Sequence, residues 1–167
     1  MGLFDRLFQR QGVVGIARDT IDFALESAED THPNEYMGML RGTPAKHLGM
    51  DQRGYVITDI LVIPGTRSNP VSATVDSNMI PNDMRSLGSI HSHPNGVLRP
   101  SDEDLATFTS GTVHVIMGAP YGRNDWRAFD QQGEYRDLPV LDVDLEDHEE
   151  FFDFTQADID AELRRDK

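Results

Sequence analysis

Residues 91–104, which run His-Ser-His-Pro-Asn-Gly-Val-Leu-Arg-Pro-Ser-Asp-Glu-Asp, leave this chain few ways to fold. Gly88-Ser89-Ile90 leads in as a short strand, and Pro94 with Asn95-Gly96 ends it. Pro100-Ser101 then begins a helix, with Ser101 as N-cap and Asp104 at the third helical position. Side chains of a strand alternate between its faces, so His91 and His93 share one face and can reach one ion. Asp104 is aimed back toward them from the first helical turn. Two imidazoles and a hard carboxylate suit zinc and leave a fourth position for water, at a strand end open to substrate.

Each piece alone has an ordinary reading. A satisfied histidine is commoner than a ligand, and Ser-x-x-Asp at a helix start is commoner as a simple cap with a charge at the positive dipole end. The conjunction H-x-H-x₇-S-x₂-D, with every position filled, decides for a metal site. The run resembles the signature of the JAMM (MPN-plus) metalloproteases, in which a glutamate lies upstream of the same pattern. His32-Pro33-Asn34-Glu35-Tyr36-Met37-Gly38 supplies that glutamate in a similar proline–glutamate–glycine setting. The resemblance covers roughly residues 12 to 144. It implies zinc on His91, His93 and Asp104, Glu35 as general base toward the attacking water, and Ser101 as support for the oxyanion. It also implies an α/β fold, a mixed β-sheet sandwiched by helices around a cytidine-deaminase-like core.

The 167 residues suffice for one domain with its own core. Its expected bounds are 1–144, with an acidic C-terminal helix or tail over 145–167. The first ten residues read as a short amphipathic helix rather than an anchor, since Asp5, Arg6 and Arg10 interrupt Leu3, Phe4, Leu7 and Phe8. Position six is Arg6, so Met1-Gly2 is not a myristoylation signal. With no cysteine, the chain has neither disulfides nor a thiol nucleophile.

A net charge of −14 argues against nucleic acid as a partner. The acids are 20 Asp and 9 Glu against 13 Arg and 2 Lys. Asp excess with Lys scarcity fits a cytoplasmic protein of an organism that keeps molar salt inside, where self-repulsion is screened. An acidic surface for a basic partner is the alternative. Residues 142–167 hold 11 acids and 3 bases, over half of the net charge, among Phe151, Phe152, Phe154, Ile159 and Leu163.

Apolar positions at Val14, Ile21, Ala24 and Leu25 predict a helix over 13–29. Strands are expected at 36–40, 55–63, 87–91, 112–117 and 126–129. His114 reads as an ordinary strand residue. The turn-rich segment 65–71 reads as a surface connection, with Ser68 and Asn69 as possible substrate contacts.

For substrate, the resemblance implies an isopeptidase releasing ubiquitin-like modifier proteins from lysines, similar to desampylases. Precursor processing of a sulfur-carrier protein, a RadC-like role and a non-catalytic MPN scaffold are the alternatives. An extended peptide is expected to add at a sheet edge beside the His91 strand.

Overall fold

The computed structural model describes residues 12–62, 86–108 and 111–145. The expected N-terminal helix, the segment holding Ser68 and Asn69, and the acidic segment beyond residue 145 lie outside the described residues.

The chain forms β1 (Val13–Ala17), α1 (Arg18–Thr31), β2 (Met37–Pro44), a 3₁₀ turn (Ala45–Leu48), β3 (Tyr55–Val62), β4 (Ser86–His93), α2 (Asp102–Thr107), β5 (Val113–Gly118), β6 (Trp126–Phe129), β7 (Tyr135–Arg136) and β8 (Val140–Leu141). All eight strands join one mixed sheet in the order β7-β6-β5-β4-β2-β3-β1-β8. β1 runs parallel to β3 and β8, and β4 parallel to β5; the other pairs are antiparallel.

The sequence reading erred at the start of the first helix. Val13–Ala17 is a strand, rich in β-branched residues that lose side-chain freedom in a helix. It lies between two parallel strands, and a Cβ on Gly15 would stand 2.7 Å from the Pro139 carbonyl of the chain leading into β8. The helical period holds only from residue 18 onward, where Ile21, Ala24, Leu25 and Ala28 are buried. The short strands β7 and β8 went unread because two residues give no periodicity.

The faces of the sheet carry different cores. Ile21, Ala24, Leu25 and Ala28 of α1 pack with Ile16, Leu40, Ile57, Ile90, Val115 and Met117. On the opposite face, Phe108 at the end of α2 packs with Ile116, Phe129 and Leu98. Ala17, Ala45 and Val56 form a smaller cluster with Val14 and Leu141. Each large side chain buried in this way contributes about 1.5–3 kcal/mol relative to exposure. β4 thus runs through the middle of a packed layer, which fixes the direction of the histidines at its end.

Gly88 admits the close approach of β4 to β5. Its φ is +154°, and a Cβ there would stand 1.5 Å from the Val113 carbonyl oxygen, so no other residue fits without moving the strands.

His114 is 1% exposed and ties α2 to the sheet. Its ring stacks on Phe108 at 4.1 Å and 6°, and its Nδ1 lies 2.8 Å from the Ser89 hydroxyl. Burial lowers its pKa to about 4, since the charged ring would lose its hydration. The unfolded chain takes up this proton near pH 6.5 and the folded chain only near pH 4, so stability falls as pH drops across that window. The expected loss is of the order of 2–3 kcal/mol, and it is fully recovered above pH 6.5. Urea unfolding of wild type and His114→Gln between pH 7.5 and 4.5 checks this; the variant should show a shallower pH dependence, and equal slopes would reject the assignment.

Candidate metal centre

β4 ends at the site, and its neighbours bring the remaining groups. Antiparallel pairing sets Met37 of β2 opposite His91. One residue further, the Ser92 amide donates to the Tyr36 carbonyl at 2.9 Å, and the Tyr36 amide donates to the Ser92 hydroxyl at 2.8 Å. Glu35, in the loop just before β2, lies close enough to His91 and His93 for their charges to interact. His91 and His93 point to one face, as alternation requires, while Ser92 between them is fully buried on the other.

The two Nε2 atoms lie 3.0 Å apart. His91 Nε2 is 3.1 Å from Asp104 Oδ1, and His93 Nε2 is 3.1 Å from Asp104 Oδ2. Donors on a tetrahedral zinc, each about 2.0–2.1 Å from the ion, stand roughly 3.3 Å from one another, close to these separations. His93 Nδ1 donates to the Val97 carbonyl at 2.7 Å, so Nε2 faces the cluster; without an ion it carries the proton given to Asp104, and its lone pair would serve an ion that takes the place of that proton. Among the described residues, His91, His93 and Asp104 are the group of His, Asp and Glu side chains that converges in this way. The residues fit the ion, and the donor chemistry is that of a zinc site.

Asp104 serves the helix and the cluster together. The Ser101 amide donates to its Oδ2 at 2.8 Å, while the Ser101 hydroxyl accepts from the Asp104 amide at 3.1 Å, a reciprocal capping box. Cap and ligand, weighed as alternatives from the sequence, are the same residue in the same conformation. The cap uses the Ser101 oxygen as an acceptor and leaves its own proton free to donate. Burial alone would raise the Asp104 pKa, but hydrogen bonds from His91 and His93 hold the carboxyl well below the usual carboxylate range. Burial likewise opposes charge on His93; its bonds to Asp104 and the Val97 carbonyl outweigh this and raise its pKa.

Glu35 is half-buried, and its pKa is raised by that burial against the opposing pull of His91 and His93. The structure thus brings His91, His93 and Asp104 together, bonds Ser101 to Asp104, and sets Glu35 near enough for its charge to interact with both histidines. His114 lies on the same sheet face but bonds to Ser89 and stands outside the cluster.

The chain also uses groups that sequence reasoning missed. The Val97 carbonyl is backbone and has no residue signature. Tyr121 bonds to His32 Nδ1 at 2.9 Å, and no motif marked either. Ser92 was legible, since alternation puts it on the face opposite the histidines. One expectation is corrected: β4 is paired with β2 and β5 up to the site, so no substrate strand can add beside it.

Comparison with known proteins agrees with this geometry. Residues 18–129 match the family described as prokaryotic homologs of the JAB domain. The chain is 66% identical over 160 residues to a probable metalloprotease of Haloferax volcanii, covering 96% of this chain and 99% of that protein. A JAB1/MPN domain protein from Archaeoglobus fulgidus is similar in structure, with a TM-score of 0.58 and 29% identity over 77% of this chain and 99% of the other. The structure described as "JAMM: A Metalloprotease-like Zinc Site in the Proteasome and Signalosome" gives a TM-score of 0.57 and 28% identity over 78% and 99%. With the matched region spanning both the strand that carries the histidines and the helix that carries Asp104, the chain belongs to the prokaryotic JAB-domain family and has its mixed sheet with flanking helices.

Proposed function

We propose that this protein is a zinc-dependent isopeptidase that removes ubiquitin-like modifiers from lysine side chains. The observation that carries the reading is the convergence of His91, His93 and Asp104 at the end of β4, with the Glu35 carboxyl within reach of the charges of both histidines. Zinc held there would supply Lewis acidity, lowering the pKa of a bound water far below its bulk value, to about 7. His91 and His93 provide neutral nitrogen donors, and the Val97 carbonyl fixes the tautomer of the second. Asp104 supplies the charge and is held in place by the helix cap.

Glu35 takes the proton of the attacking water and returns it to the leaving lysine amine. Its raised pKa suits both transfers, because a base works best when its pKa approaches the operating pH. The free proton of the Ser101 hydroxyl steadies the oxyanion as the carbonyl becomes tetrahedral. The acyl group passes directly to water, so a chain without cysteine lacks nothing for the reaction.

A Gly-Gly tail fits the requirement that the substrate backbone approach the ion without a side-chain clash. Recognition then rests on the modifier, and many targets are served. Linear precursor processing uses the same groups. A non-catalytic scaffold has no use for the complete donor set, and a nucleic-acid role finds little support in a chain of net charge −14.

The test is incubation at molar salt with a modifier–lysine conjugate and a linear modifier fusion, with and without chelator. Chelator-sensitive release of the modifier from lysine is expected. Cleavage of linear fusions alone would move the assignment to precursor processing, and cleavage of neither would refute the protease reading.

A further inference from the structure

The loop 32–36 carries Glu35 from α1 to β2, and its two ends are tied to the same place. At the first end, the His32 amide caps α1 by donating to the Ala28 and Glu29 carbonyls, and the His32 ring meets the Tyr121 hydroxyl at 2.9 Å. At the second end, Tyr36 is clasped by Ser92 through both its amide and its carbonyl. Tyr121, which follows β5, is 6% exposed, and its phenol interacts with the side chain of buried Ser92 and with the charge of Glu35.

The Tyr36 amide donates to Ser92 Oγ, the Ser92 side chain interacts with the Tyr121 phenol, and the Tyr121 hydroxyl shares a proton with His32 Nδ1. The Tyr121 and His32 rings also meet edge to face, at 5.5 Å and 69°. Tyr121 holds a φ of +62°, the one positive φ at a non-glycine residue among the described residues. A left-handed tyrosine persists only where its surroundings determine it, and such residues concentrate at functional sites.

We propose that Tyr121 is a positioning residue for Glu35: its buried hydroxyl, set between His32 and Ser92, pins both ends of the loop that carries the carboxylate. The proposal rests on the reading of Glu35 as the base. Tyr121 touches neither zinc nor substrate in this scheme; it acts through the loop.

Tyr121→Phe removes only the hydroxyl and keeps the ring. Turnover is expected to fall by about 10-fold or more with KM nearly unchanged, because misplacing a catalytic group by about 1 Å can cost about 10²-fold. Zinc content should remain that of wild type, and hydrogen exchange at the Tyr36 amide should accelerate by about 10-fold or more while the Ile90 and Val115 amides stay protected. His32→Ala, at an exposed position, should reproduce both effects, and His32→Asn, whose Oδ1 stands near the place of Nδ1, should restore them in part. Wild-type turnover with unchanged Tyr36 exchange in Tyr121→Phe would overturn the proposal, as would uniform acceleration of all three amides, the mark of a general loss of stability. If wild type cleaves no conjugate, the catalytic reading fails by itself, and Tyr36 exchange in the variants still decides whether Tyr121 pins the loop.

Discussion

Glu35→Ala is expected to lose turnover by about 10²–10⁴ while retaining its zinc, the range attributable to a positioned general base. Glu35 reaches the site from the loop before β2 and is not among the residues whose donor atoms converge. Its pKa, raised by burial, marks a carboxyl kept from full solvation beside two imidazoles. Glu35→Gln, similar in shape but unable to accept a proton, should be as inactive as the alanine variant. Steady-state cleavage with parallel metal analysis checks both. Loss of zinc equal to that of a histidine variant would make Glu35 a ligand, and retained activity would reject Glu35 as the base; Glu26 and Glu29, exposed on α1 over the opposite sheet face, could not replace it.

Asp104 gives the second large effect, because one side chain both caps α2 and completes the donor set. In Asp104→Ala the Ser101 amide loses its acceptor, costing about 0.5–2 kcal/mol of stability, and the site loses its negative ligand. Asp104→Asn keeps an oxygen for the Ser101 amide but carries no charge. It should therefore fold nearly as well as wild type and bind zinc weaker by about 10²-fold or more. Thermal melts and competitive zinc titrations of the two variants separate the roles. Wild-type zinc affinity in Asp104→Asn would reduce Asp104 to a cap.

Much of the site was legible because its geometry is local. Alternation along β4 puts His91 and His93 together, and the N-cap at Ser101 orients Asp104, so residues 91–104 carry their own arrangement. Glu35 lies far from them in sequence, and its placement depends on the β2–β4 register. Only the resemblance to a known pattern reached it. The helix over 13–29 was half right, because the buried residues of a strand enclosed by parallel neighbours happened to continue a helical period. Tyr121 gave no signal: a tyrosine after a strand is unremarkable until the fold brings it against His32 and Ser92. The closed edges of β4 were equally invisible, since strand order is a property of the whole sheet.

The central claim, that His91, His93 and Asp104 form a zinc site, is tested most directly by elemental analysis of protein purified without chelator, alongside His91→Ala and His93→Ala. The account predicts about one zinc per wild-type chain and little or none in the two variants. Wild-type protein without a stoichiometric divalent metal, or variants that keep it, would contradict the account.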